Sequence, residues 1–217
     1  QKGDSSSFAN YRPISLLGSI YKLYASMLHY RLQPLDPALT TTQFGFRAHR
    51  GTRQALATIR RGMDITEAAG EKITMILLDW EKAFDKIDRR AMATALSRLG
   101  IPSQFLEDIT SMYSHTEFKV DYEGWESNWH TQHTGIRQGC PLSPFLFVCT
   151  MSVLIHDVMQ EVQAFTAPDR IPGFDFDIVI YADDTICISR TPAAAQRLLR
   201  AVEEQGAKYG MALNRNK

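Results

Sequence analysis

The chain has 217 residues, 44% of them hydrophobic and 22% charged, a balance that excludes a disordered chain and fills one large or two small domains. Its 24 basic and 24 acidic residues cancel, so it lacks the basic excess usual in nucleic-acid binders. No apolar run approaches the roughly 20 residues of a membrane span, and no secretory signal is recognised at the start.

Three cysteines, Cys140, Cys149 and Cys187, show no paired spacing, which points to a reducing, intracellular setting. There is no initiator Met, and the sequence stops at "MALNRNK" as a strand begins. An excerpt from a longer polypeptide is therefore expected.

In chain order, residues 1–10 are polar and Ser-rich and read as a loop. Ile14 to Leu35 reads as a mostly apolar helix broken at Pro34 and Pro37. "QFGFRAHRGT" (43–52) is a Gly- and Arg-rich loop. Thr52 to Ala69 reads as a helix carrying Leu56, Ile59 and Met63, stopped by Gly70. "KITMILLD" is apolar but short, the pattern of a central strand ending at Asp79. Asp88 caps a helix with Met92, Ala95, Leu96 and Leu99, closed by Gly100 and Pro102.

Ser103 to Tyr113 is a further helix, and "EFKVDY" alternates as a strand before a turn at Gly124. "RQGCPLSP" is a loop that feeds an apolar helix from Pro144 to about Val162. "DIVIYADDTICIS" (177–189) reads as a buried hairpin. Thr191 caps a helix with Pro192 at its first position, running to about Tyr209, and "MALN" opens a last strand. From Lys72 onward this order fits a split βαβ arrangement, an antiparallel sheet with helices on one face.

The hairpin sets two adjacent carboxylates, Asp183 and Asp184, between two β-branched runs, with no Lys or Arg inside it. Buried carboxylates need a cation or a positive partner. Neighbouring strand residues point to opposite faces. Unless the turn twists, one must dominate as a ligand, and Asp183 is the expected one. Asp79 ends the other buried strand, so if the two strands are neighbours, Asp79 and Asp183 converge. Such clusters suit Mg²⁺, and two ions about 4 Å apart can activate a hydroxyl and stabilise a leaving pyrophosphate. An ordinary Asp-rich turn is the competing reading. His130, His133 and Cys140 make an incomplete set for zinc.

Five ordered blocks carry a resemblance: "NYRPISLL" (10–17), "QFGFRAHRGT" (43–52), "LDWEKAFDKID" (78–88), "GIRQGCPLSPFLF" (135–147) and "YADD" (181–184). Together they resemble the fingers and palm of reverse transcriptases from non-LTR (LINE-like) retrotransposons. The resemblance implies an α+β polymerase right-hand fold. Mostly helical fingers would span 1–71. A palm with a ferredoxin-like antiparallel sheet packed by helices would span 72–217, allowing fingers insertions between 100 and 135. The thumb would follow residue 217.

It also implies an RNA-directed DNA polymerase. Asp79, Asp183 and Asp184 would hold two Mg²⁺ ions, for which Mn²⁺ can substitute. The partners would be an RNA template, a DNA primer and dNTPs, with no membrane, in the nucleus or cytoplasm. Phe84 would gate the sugar by clashing with a 2′-hydroxyl, although core packing is its ordinary role. Gln138 and Gly139 would line the nucleotide pocket. Arg12 and Arg47 would contact the triphosphate or template, and Lys217 would protonate pyrophosphate. Tyr181 would pack near the primer terminus, or simply in the core. Asp85 and Asp88 would be structural. Two rivals are an RNA-dependent RNA polymerase, which Phe84 argues against, and an inactive or domesticated remnant, which the intact site residues argue against.

Overall fold

The structure is a computed structural model that describes residues 11, 13–162 and 169–215. The expected N-terminal loop, Arg12 and Lys217 lie outside those residues. Helix α1 covers Ser19–Leu32, and the prolines convert its continuation into a 3₁₀ turn, Gln33–Ala38. It starts later than the apolar pattern from Ile14 predicts. Ser15 instead donates its N–H to the Gln138 carbonyl at 2.7 Å, which keeps this segment out of the helix. α2 (Thr52–Ala68) follows the Arg-rich loop, and then β1 (Thr74–Leu78).

The short α3 (Ala83–Lys86) leads into α4 (Arg89–Arg98), whose first turn is capped by the Asp88 carboxylate accepting from the Ala91 N–H at 2.7 Å. α5 (Ser103–Tyr113) precedes an exposed ribbon of two-residue rungs, β2 (Glu117–Phe118) with β5 (His130–Thr131) and β3 (Asp121–Tyr122) with β4 (Trp125–Glu126). The single strand expected over "EFKVDY" is thus broken at Lys119 and Val120. α6 (Ser143–Glu161), the hairpin strands β6 (Ile178–Tyr181) and β7 (Asp184–Ser189), and α7 (Pro192–Lys208) complete the series. Thr191 caps α7 through the Ala194 N–H, as expected.

The sheet has the antiparallel order β1–β7–β6. The expected last strand shrinks to one antiparallel bridge, Trp80–Leu213, flanked by bonds from Glu81 to Ala212 and from Asn214 to Asp79. Alternation assigns the two sheet faces. Ile178, Ile180, Cys187 and Leu78 join the main core with α6 and α7. Val179 and Ile188 join a smaller cluster with Phe44, Ala55 of α2, Ile171 and Phe174. Helices therefore cover parts of both faces, not one. The second face is uncovered near the end of β1, where Leu77 is 75% exposed.

α6 corrects the sequence reading on membrane spans. Its 19 residues are long and apolar enough to cross one, and 72% of that stretch is buried inside the protein as the central core helix.

Candidate functional site

β1 and β7 are neighbours with Leu78 opposite Thr185, and Tyr181 pairs with Asp184 across the β6–β7 hairpin. Asp79 follows Leu78 directly, so the register carries it level with Asp184, while Ala182 and Asp183 form the turn. All three carboxylates therefore stand at one end of the sheet. Asp79 and Asp183 are half-buried and Asp184 is exposed. The Asp79 carboxylate accepts from the Asn214 side-chain amide at 3.0 Å, and the Asp79 carbonyl accepts from the Asn214 N–H at 2.7 Å. Among the described residues, no group of three or more His, Cys, Asp or Glu forms a ready-made metal cage.

Trp80 ties the exit of β1 to the turn. Its indole N–H donates to the Thr185 hydroxyl at 3.1 Å, which in turn donates to the Asp183 carbonyl at 3.2 Å. The indole is buried against α7, where a Cβ at Gly206 would come within 2.5 Å of its ring.

The first, third and fourth blocks join beside this end. Gly135, at φ +79°, accepts no side chain, because a Cβ would meet the Asp85 carbonyl at 2.4 Å. Gly135 and Ile136 donate to the carbonyls of Ile87 and Phe84, and the Gln138 amide donates to the Asp85 carboxylate at 3.0 Å. Burial pushes the Asp85 carboxyl above its ordinary range, opposed by that Gln138 bond. Gly139, at φ +109°, sits under Ser15, whose carbonyl would lie 2.8 Å from a Cβ there. So the Gln138 carbonyl holds the Ser15 segment, and Gly139 leaves room for its close approach.

The Phe84 ring is half-buried, stacked on Phe147 at 4.5 Å and met edge-on by the exposed Phe46 at 6.1 Å. It has both a core face and a neighbour at the surface. Tyr181 is half-buried and packs on the smaller cluster.

Arg47 is placed differently from a phosphate ligand. It is buried, and its guanidinium donates to both carboxylate oxygens of Asp36 at 3.0 and 2.9 Å. Further bonds reach the carbonyls of Asp36 at 2.7 Å, Thr40 at 2.6 Å and Gln43 at 3.4 Å. Arg47 is the internal brace of its loop. Arg53, Arg60 and Arg61, on α2 after that loop, are by contrast exposed. The suggested zinc set does not assemble: His130 is exposed against Phe118, whereas the Cys140 thiol is buried and accepts from the Tyr21 hydroxyl. All three cysteines are buried and free.

Sequence reasoning passed over Gln43, Trp80 and Asn214. Each lies inside or beside a quoted block, but each acts through a partner distant in the chain.

Three carboxylates at one end of an antiparallel sheet in an α+β fold offer oxygen ligands of the kind a hard divalent cation takes. The family model described as reverse transcriptase (RNA-dependent DNA polymerase) matches residues 1–217, and the chain belongs to that family. Its relatives are proteins of non-LTR retrotransposons. It is 23% identical to an R2 element Pol polyprotein of Nasonia vitripennis, over 91% of this chain and 19% of that protein. It is 27% identical to the RNA-directed DNA polymerase of the mobile element jockey of Drosophila funebris, over 96% and 23%. It is also similar to the Xenopus laevis transposon TX1 149 kDa protein, 26% identical over 100% and 16%. The chain thus spans less than a quarter of the length of these three. Among solved structures, a Candida tropicalis telomerase in complex with a telomeric RNA fragment superposes with a TM-score of 0.62 at 15% identity, over 91% of this chain and 33% of that one. That likeness shows a polymerase-like fold.

Proposed function

We propose that this chain is the fingers-and-palm core of an RNA-directed DNA polymerase of a non-LTR retrotransposon. It would add dNTPs to the 3′-hydroxyl of a DNA primer on an RNA or DNA template, in the nucleus or cytoplasm. Residues 1–71 form the fingers and 72–217 the palm, with the exposed ribbon at 117–131 as an insertion. The observation that carries this reading is the β1–β7 register, which brings Asp79, Asp183 and Asp184 to one sheet end.

Mg²⁺ fits that set. It is commonly bound through one or two carboxylates and completed by substrate phosphates and water, not by an all-protein cage. Asp79, Asp183 and Asp184 would hold it, with Mn²⁺ as a substitute. When bound, two such ions supply Lewis-acid stabilisation of the attacking and leaving oxygens. The chain's own residues do the positioning. Asn214 orients the Asp79 carboxylate. Phe84, backed by Phe147, presents a rigid ring that disfavours a 2′-hydroxyl. Gln138 and Gly139 line the nucleotide pocket, where the Gln138 carbonyl also ties down Ser15, and Arg12 would contact the triphosphate or the template. Lys217 would serve as the acid for pyrophosphate. Arg47, its fork filled by Asp36, supports the loop instead of the triphosphate.

The test is primer extension on an RNA template with Mg²⁺, using the chain alone and exchanged for the matching segment of the jockey polymerase. DNA synthesis from dNTPs that is lost in Asp183→Asn supports the reading. Efficient synthesis from NTPs would sink the Phe84 gate and favour an RNA polymerase. A folded chimera that makes no product would favour a remnant.

A further inference from the structure

We propose that Gln43 is a positioning residue of the carboxylate turn, acting through Ala182; the inference rests on the polymerase reading for its kinetic consequence only. Ala182 sits at φ +57°, a conformation that an L side chain rarely adopts without support. Gln43, fully buried, supplies that support with one carboxamide. Its amide nitrogen donates to the Ala182 carbonyl at 3.1 Å, and its oxygen accepts from the Ala182 N–H at 2.9 Å and the Gly45 N–H at 2.8 Å. Both main-chain groups of this positive-φ residue are therefore held by one side chain.

The backbone around Gln43 is itself fixed to the hairpin. Phe44 donates to the Ile180 carbonyl at 2.8 Å, and Ile180 donates to the Thr42 carbonyl at 2.9 Å, giving a parallel bridge on β6. Gly45 must be glycine here, because a Cβ would stand 2.2 Å from the Ala182 nitrogen. Behind this, Arg47 and Arg50 donate to the Gln43 carbonyl. The second and fifth blocks thus form one unit, linked across 139 residues of sequence.

Ala182 opens the turn that Asp183 completes and Asp184 leaves, so its backbone angles set where both carboxylates stand. If the clamp is lost, Ala182 relaxes toward negative φ and both carboxylates turn with it. A carboxamide is needed because the clamp requires a donor and an acceptor side by side. Methionine fills the same volume and supplies neither.

The experiment measures amide hydrogen exchange and single-dNTP addition for the wild-type chain, Gln43→Met, and Ile109→Ala as a truncation of a buried side chain on α5. A Gln43→Met/Ala182→Gly variant tests rescue, since glycine reaches positive φ unaided. Gln43→Met should speed exchange at residues 180–184 by about tenfold or more, with α6 left as protected as in the wild type. The addition rate should fall by about 100-fold, the cost of a misplaced reacting group, with the KM for dNTP within about threefold. Ala182→Gly should recover part of that rate, and Ile109→Ala should show neither effect. Unchanged exchange at the turn, or an equal loss of protection everywhere, would overturn the clamp. If Gln43→Met does not fold, Gln43→Asn, one methylene too short, takes its place. If the wild type makes no DNA, the polymerase reading fails while the exchange arm still decides the clamp.

Discussion

The two ribbons of this chain use the same antiparallel pairing to opposite effect. In the β6–β7 hairpin, Ile178, Val179 and Ile180 are buried, and the turn is held from outside by Gln43 and by Trp80, which acts through Thr185 of β7. In the 117–131 ribbon every strand residue is exposed, with Trp125 at 81%, and the pairing breaks into two-residue rungs. Alternation alone does not separate them. What separates them is whether other segments of the chain close over the strands. A turn that must hold carboxylates in one geometry is over-determined by distant contacts, whereas the ribbon has contacts chiefly with itself.

That contrast orders the expected effects of substitution. Asp183→Asn should reduce dNTP addition by at least about 100-fold, the scale for disturbing even an outer partner of a metal site, with thermal unfolding close to wild type. Trp80→Ala removes a buried indole that braces the turn, and should cost about 3–5 kcal/mol by denaturant titration. Ile180→Ala should cost about 2–5 kcal/mol, while Val120→Ala, its counterpart in the ribbon, should stay within about 0.5 kcal/mol. Equal costs at Ile180 and Val120 would break the comparison. Phe84→Val should raise NTP use relative to dNTP use by about 10-fold or more in competition assays.

The smallest effect is a pH dependence remote from both ribbons. The hydrogen bond from Arg98 holds the Asp157 carboxyl below its ordinary range, with help from the Tyr209 hydroxyl and against burial. A depressed carboxyl stabilises the fold above its unfolded pKa and loses that contribution as pH falls through the folded value. Since Arg98 is well exposed, Asp157→Asn should cost only about 0.5–1 kcal/mol at pH 7. The difference from wild type should close below about pH 4, as read from unfolding curves at each pH.

Much of the fold was legible because it is written locally. Asp88 and Thr191 make the capping bonds that their positions imply. The two carboxylate-bearing strands are apolar runs of strand length, and their pairing follows once they are neighbours. What was not legible is set by distance along the chain. Arg47 reads as a free guanidinium until the proline turn brings Asp36, eleven residues away, against it. Gln43 carries no signal in its own block, because its partner is in the hairpin. The start of α1 comes later than the apolar pattern implies because Ser15 is captured by Gln138, whereas the apolar helix read from Pro144 is there as α6, the central core helix.

The most direct test of the central claim is the rate of single-dNTP addition as a function of Mg²⁺ concentration, in the wild type and in Asp79→Asn. If the sheet-end carboxylates hold the catalytic ions, the wild-type rate rises to a plateau with Mg²⁺ and the variant stays near background throughout. An Asp79→Asn protein that adds dNTP at the wild-type rate with the same Mg²⁺ dependence would contradict it.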